Sequence, residues 1–201
     1  MIAIIDYDAG NIKSVEKALD MLNQKVVITR DADTILKADK VILPGVGAFG
    51  DAMEKLHSYA LVSVIQQVVK RQIPLLGICL GLQVLFEESE EAPGVKGLGI
   101  LKGSICRIPA KEGLKIPHMG WNSLQFPQKG RLFRGIPEDS YVYFVHSYYL
   151  KATDEKIVTA VTSYSTCIHA SVEQGNVFAC QFHPEKSSET GLEILKNFTE
   201  L

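Results

Sequence analysis

The stretch Ile73-Pro74-Leu75-Leu76-Gly77-Ile78-Cys79-Leu80-Gly81 decides the fold. A short apolar run, fit to be buried on both faces, is the pattern of a strand inside a parallel sheet. It ends at a cysteine set between two glycines, after which Leu82, Val84, Leu85 and Phe86 continue as a helix. A strand that turns abruptly into a helix is the repeating unit of an α/β protein.

Upstream the same alternation repeats. Ile2-Ala3-Ile4-Ile5 predicts a buried strand, and Ile12, Val15, Ala18, Leu19 and Leu22 recur at helical spacing. Val26-Val27-Ile28 and Lys40-Val41-Ile42-Leu43 predict two more strands, the second stopped by Pro44. Asp51 is placed to cap a helix holding Met53 and Leu56, and a second helix carries Leu61, Val64, Ile65, Val68 and Val69 on one face. Such alternation implies right-handed crossovers and a sheet covered on both faces, with sites at the carboxyl ends of its strands. Both Pro44–Gly50 and Cys79 fall at such ends.

After Glu91-Ala92-Pro93-Gly94 the pattern changes. Strand-like runs span Ser104–Ile108, Trp121–Phe126, Tyr141–Leu150, Lys156–Ser163 and Val177–Phe182, with short connections that favour antiparallel pairing. A last helix follows Ser187-Ser188, with Leu192, Leu195 and Phe198 as its buried stripe. No linker or internal repeat divides residues 1–201, so one mixed α/β domain is expected.

A net charge of −2, with no Lys/Arg cluster, argues against nucleic-acid binding. No apolar run is long enough to span a membrane, and the start of the chain lacks the pattern of a signal peptide; a cytoplasmic location is the expectation. Cys79, Cys106, Cys167 and Cys180 form no C-x-x-C pair, so neither a zinc site nor a redox pair is expected. Cys106, Cys167 and Cys180 read as buried structural thiols.

Cys79 reads differently because of its setting. Gly77 and Gly81 stand where side chains would collide in a tight strand-to-helix turn, the cysteine form of a nucleophile elbow. The helix that starts there favours a thiolate, and the N–H of Leu80 is placed to bind a developing oxyanion. Far downstream, Phe182-His183-Pro184-Glu185 offers a base and a carboxylate to orient it. If Pro184 keeps this segment extended, His183 and Glu185 share a side. A cysteine, a histidine and a glutamate make the parts for acyl transfer through a thioester, with no metal or cofactor.

The loop Pro44-Gly45-Val46-Gly47-Ala48-Phe49-Gly50 matches G-x-G-x-x-G, the dinucleotide fingerprint. The carboxylate that this fingerprint requires at the end of the next strand is missing, since that strand ends in Cys79. A better use of these glycines is to bring the N–H groups of Val46 and Gly47 up to an oxyanion.

With these elements in view, the sequence resembles the class I, triad-type, glutamine amidotransferases, and within them the glutaminase subunits of imidazole glycerol phosphate synthase. The similarity runs nearly end to end through Asp8-Ala9-Gly10-Asn11, Leu43-Pro44-Gly45-Val46-Gly47, Glu87 to Gly94, Pro117-His118-Met119-Gly120-Trp121-Asn122 and Phe182 to Ser187. The resemblance implies a flavodoxin-like three-layer sandwich with a mainly parallel sheet. It implies that Cys79, His183 and Glu185 hydrolyse glutamine to glutamate, and that Gln83, Glu91 and the backbone of His146 and Ser147 bind the substrate. It implies a partner, a (β/α)₈-barrel cyclase of histidine biosynthesis that uses the ammonia, docked at Asn11, Trp121, Asn122 and Lys186. If the Val46 peptide starts turned the wrong way, the oxyanion hole is incomplete until docking, and the sequence leaves that orientation open. Three other readings stay open: a cysteine hydrolase of another amide, a glutaminase serving pyridoxal phosphate or purine synthesis, and a binding module with a buried Cys79.

Overall fold

The computed structural model describes residues 1–201. The chain alternates β1 (Ile2–Ile5), α1 (Ile12–Met21), β2 (Val26–Thr29), α2 (Ala32–Leu36), β3 (Lys40–Leu43), α3 (Phe49–Ser58), α4 (Leu61–Lys70), β4 (Leu75–Ile78) and α5 (Leu80–Val84). It then runs mostly as strands: β5 (Glu88–Ser89), β6 (Gly103–Arg107), β7 (His118–Ser123), β8 (Tyr141–His146), β9 (Tyr148–Ala152), β10 (Val158–Tyr164), β11 (Thr166–Gln174) and β12 (Val177–Cys180), closed by α6 (Ser188–Thr199).

The main sheet has the order β2-β1-β3-β4-β12-β11-β9-β6-β5, with β10 paired to β11. Its first five strands are parallel, and their order is the doubly wound, flavodoxin-like one. The strands that follow pair antiparallel from β12 through β11 and β9 to β6. Strands β7 and β8 form a separate antiparallel pair.

Every residue of β1 is buried, because side chains alternate between two covered faces. Ala3 and Ile5 join Val41, Leu43 and Leu75 against α3 and α4, which contribute Met53, Leu56, Leu61 and Ile65. Ile2 and Ile4 join Ile42, Leu76 and Ile78 against α1 and α6, which contribute Val15, Leu19, Leu195 and Phe198. Each fully buried Leu, Ile or Phe contributes about 1.5–3 kcal/mol relative to exposure. The result is three layers, helix–sheet–helix, as the sequence predicts.

Several local expectations are corrected. Asp51 lies in the first turn of α3, whose cap is Ala48. Helix α5 begins at Leu80 and ends at Val84, leaving Leu85 and Phe86 beyond it. The run Tyr141–Leu150 breaks at Ser147, where the chain passes from the small sheet to the large one. The run at Val177 pairs antiparallel with β11 as expected, but on its other edge it runs parallel to β4. The nine-residue β11, and α2, have no counterpart in the sequence reading; His169, Ser171 and Cys167 blunt the apolar alternation of β11.

Candidate active site

The register of β4 with β12 builds the site. Gly77 pairs with Ala179 and Ile78 with Cys180, and the N–H of Cys79 donates to the carbonyl of Cys180 at 2.8 Å. The two strands therefore end side by side, and His183 follows β12 by three residues. The elbow is tight. Cys79 has φ 55° and ψ −108°, a conformation that costs about 1–3 kcal/mol outside glycine. A Cβ at Gly81 would overlap the carbonyl of Leu43, and one at Gly77 would stand 2.8 Å from the carbonyl oxygen of Gly81. Both glycines are thus steric requirements of the turn.

His183 and Glu185 come together by a different route from the one expected. Residues Pro184–Lys186 form a 3₁₀ turn with only His183 extended. The His183 N–H donates to the Tyr143 carbonyl at 3.0 Å, and Ser187 Oγ donates to the His183 carbonyl at 2.6 Å. This turn holds Glu185 Oε1 2.8 Å from His183 Nδ1, with both side chains buried. The carboxylate thereby fixes the imidazole through Nδ1 and leaves Nε2 without a hydrogen-bond partner. Burial alone would push His183 down; the nearby Cys79 and the bonded Glu185 outweigh it and carry its pKa up to about 10. A protonated imidazole at that place stabilises negative charge on a neighbouring sulfur.

A cavity of ≈ 380 Å³ opens beside the sulfur. Val46, Gly47, Cys79, Leu80, Gln83, Glu91, His146, Ser147 and His183 all line it, so the structure gathers residues read from five separate stretches. Gln83 is buried; its Nε2 donates to the Tyr148 carbonyl at 3.2 Å and to Gln181 Oε1 at 3.0 Å. Glu91 Oε2 accepts from the N–H of Phe49 at 2.9 Å, which ties the acidic loop to the start of α3. Gln181, which sequence reasoning missed, also donates to Cys79 Sγ at 3.7 Å. Its position just past β12, level with the elbow, was the available signal.

The loop at Gly45–Gly47, expected to hold an oxyanion, is closed onto the elbow. The N–H of Leu80 donates to the Gly45 carbonyl at 3.3 Å, so the donor expected to hold an oxyanion is already occupied. Gly45 is packed so closely that a Cβ there would overlap the hydroxyl of Tyr7. That hydroxyl is buried without a partner, and burial, followed by the charge of Cys79, raises its pKa.

The four residues assigned to docking divide. Trp121 is 51% exposed and Lys186 is exposed. Asn11, in contrast, directs its amide inward to Glu185 Oε1 at 2.6 Å. Asn122 donates to the Ser163 carbonyl at 3.1 Å and lies 3.3 Å from His118 Nε2.

A flavodoxin-like sheet carrying a buried Cys-His-Glu set at its carboxyl edge defines a triad-type amidohydrolase site. Residues 3–201 match the family model of class-I glutamine amidotransferases, and the chain belongs to that family. It is 56% identical over 200 residues to the imidazole glycerol phosphate synthase subunit HisH of Moorella thermoacetica, a match spanning 100% of this chain and 94% of that protein. It is 50% identical over 201 residues to HisH of Methanocaldococcus jannaschii, spanning 100% of both. Among solved structures, one described as a glutamine amidotransferase superposes with TM-score 0.77 at 19% identity, covering 100% of this chain and 98% of that one; this likeness concerns the fold.

Proposed function

We propose that residues 1–201 act as one glutaminase domain, the HisH-type subunit of an imidazole glycerol phosphate synthase. Cys79 Sγ attacks the carboxamide carbon of glutamine, and the C=O electron pair moves to oxygen. His183 Nε2 gives its proton to the leaving nitrogen, so the C–N bond breaks as ammonia departs and a glutamyl thioester remains. Water then adds with His183 as base, the C–S bond breaks, and glutamate leaves with the sulfur restored. Glu185 keeps Nδ1 protonated throughout. Gln83, Glu91 and the backbone of His146 and Ser147 hold the amino-acid end of glutamine. No metal or cofactor enters these steps.

The observation that carries this reading is the Cys79–His183–Glu185 set beside the cavity, in a chain half or more identical to HisH subunits. The bond from Leu80 to Gly45 supports a silent resting state. Turning the Gly45–Val46 peptide frees the Leu80 N–H and brings in that of Val46 as a second oxyanion donor. Docking of the (β/α)₈-barrel cyclase at Trp121, Lys186, Asn122 and the Asn11 turn is the event that drives the rotation. Free ammonia is then consumed at once in making imidazole glycerol phosphate and aminoimidazole carboxamide ribonucleotide. No helix is long and apolar enough to cross a membrane; the four free cysteines accord with a reducing cytoplasm.

The test is a glutaminase assay of the chain alone, with the cyclase, and with the cyclase and its nucleotide ligand. Ammonia release rises steeply in the loaded complex. Equal turnover in all three overturns the partner-dependent reading, and stimulation by a pyridoxal phosphate or purine synthase instead would reassign the pathway.

A further inference from the structure

A polar seam joins the small sheet to the large one. The carbonyl of Tyr148, on β9, lies 2.8 Å from His146 Nδ1. His146 Nε2 lies 3.0 Å from His118 Nδ1, its cross-strand partner on β7. His118 Nε2 lies 3.3 Å from Asn122 Nδ2, which also donates to the Ser163 carbonyl on β10 at 3.1 Å.

The direction of every bond in this seam follows from its ends. A carbonyl only accepts, so His146 Nδ1 carries its proton. Burial pushes His146 down to about 3 and His118 down to about 4, so both rings are neutral and each has a single N–H. His146 Nε2 is then bare and accepts from His118 Nδ1–H; His118 Nε2 is bare in turn and accepts from Asn122. The amide of Asn122 cannot be reversed without loss, since its Oδ1 also accepts from the Ser123 N–H at 2.9 Å. Stacking of His118 between Phe144 and Tyr164, at 4.8 and 3.9 Å, leaves the ring one plane to occupy.

Both ends of the seam are anchored on the large sheet and its middle on the small one. The chain crosses between them at Ser147, and His146, Ser147 and Tyr148 form one wall of the cavity beside Cys79. We infer that His118, through His146 and Asn122, is a positioning residue for glutamine: the one-directional relay sets the wall at residues 146–148 against which the substrate lies. This rests on the glutaminase reading.

Labelling of Cys79 by a chloroketone analogue of glutamine, followed by mass spectrometry on the full chain, tests it. His118→Phe keeps the stacking and removes both hydrogen bonds. It raises the half-saturating concentration on the order of ten-fold, about what losing one buried hydrogen bond gives, with the maximal labelling rate unchanged. His118→Gln, which can donate and accept, recovers part of the loss. Unchanged half-saturation in His118→Phe, or an equal fall in maximal rate alone, overturns the inference. No labelling of the wild-type chain at any concentration, alone or in complex with the loaded cyclase, would instead defeat the glutaminase reading. Independently, ¹⁵N NMR of the wild-type chain at pH 6 shows His118 and His146 neutral with the proton on Nδ1, and Asn122→Asp, which sets an acceptor against a bare ring nitrogen, turns His118 cationic. An Nε2–H tautomer in either wild-type ring overturns the relay even if His118→Phe does not fold.

Discussion

Asn11 Nδ2 donates to Glu185 Oε1 at 2.6 Å across 174 residues of chain. The same oxygen accepts from His183 Nδ1, so the turn before α1 braces the carboxylate that orients His183, the proposed base. Hydrogen bonds to charged groups are worth about 1.5–3 kcal/mol. Asn11→Ala is therefore expected to lower glutamine-dependent synthesis by roughly ten-fold or more. Ammonium-dependent synthesis by the same complex stays unchanged. Parallel assays with glutamine and with ammonium salt check this; an equal fall in both would assign Asn11 to docking alone.

Cys79→Ala removes the proposed nucleophile from a position that is 7% exposed. The variant is expected to fold, to bind the cyclase and to release no ammonia from glutamine, while the complex still makes product from ammonium salt. Calorimetry of the mixture together with the two assays separates loss of chemistry from loss of assembly.

The contact of Gly45 with Tyr7 makes a prediction about stability. Gly45→Ala sets a methyl group against the Tyr7 hydroxyl, and overpacking of this kind costs about 1–3 kcal/mol. Tyr7→Phe removes an oxygen that is buried without a partner, so it is expected to be neutral or stabilising by about 1 kcal/mol. The double variant should recover most of the loss, a non-additivity that urea unfolding of all four proteins measures.

Three buried histidines set the pH profile of stability. Unfolded histidine titrates near pH 6.5, at about the value of a free peptide. His118 and His146 are held down to about 4 and about 3 by burial, so the unfolded chain binds protons that the folded one refuses. Stability therefore falls as pH drops from about 6.5 towards those values. His183, raised to about 10, keeps a proton that the unfolded chain loses. Its contribution is complete below about 6.5 and disappears as pH rises towards 10. Thermal unfolding across this range should peak near pH 6.5, and His183→Gln should flatten the alkaline limb while leaving the acid limb in place.

The parallel half of the fold was legible because its signals are local. β1 and β4 are apolar runs fit only for a two-sided interior, and the helical faces of α1 and α4 repeat without interruption. The elbow was legible for a steric reason, since only glycine fits at positions 77 and 81. β11 was not, because its pattern is broken by polar residues that the tertiary fold accommodates: Ser171 is fully buried and donates to the Ala179 carbonyl at 2.7 Å. No spacing rule anticipates such a partner.

The amino-acid sequence by itself determined which residues are the candidates for the chemistry: a cysteine in a crowded turn, and a histidine and glutamate joined by a proline. Only the tertiary structure decided how they meet. The register of β4 against β12 sets Ile78 beside Cys180, so that Cys79 and Gln181 leave the two strands together, the 3₁₀ turn swings Glu185 behind His183, and Asn11 faces inward to it. The orientation of the Gly45 carbonyl towards Leu80 is of the same kind. A peptide can point either way at nearly equal local energy, so the choice belongs to the contacts that distant segments make around it.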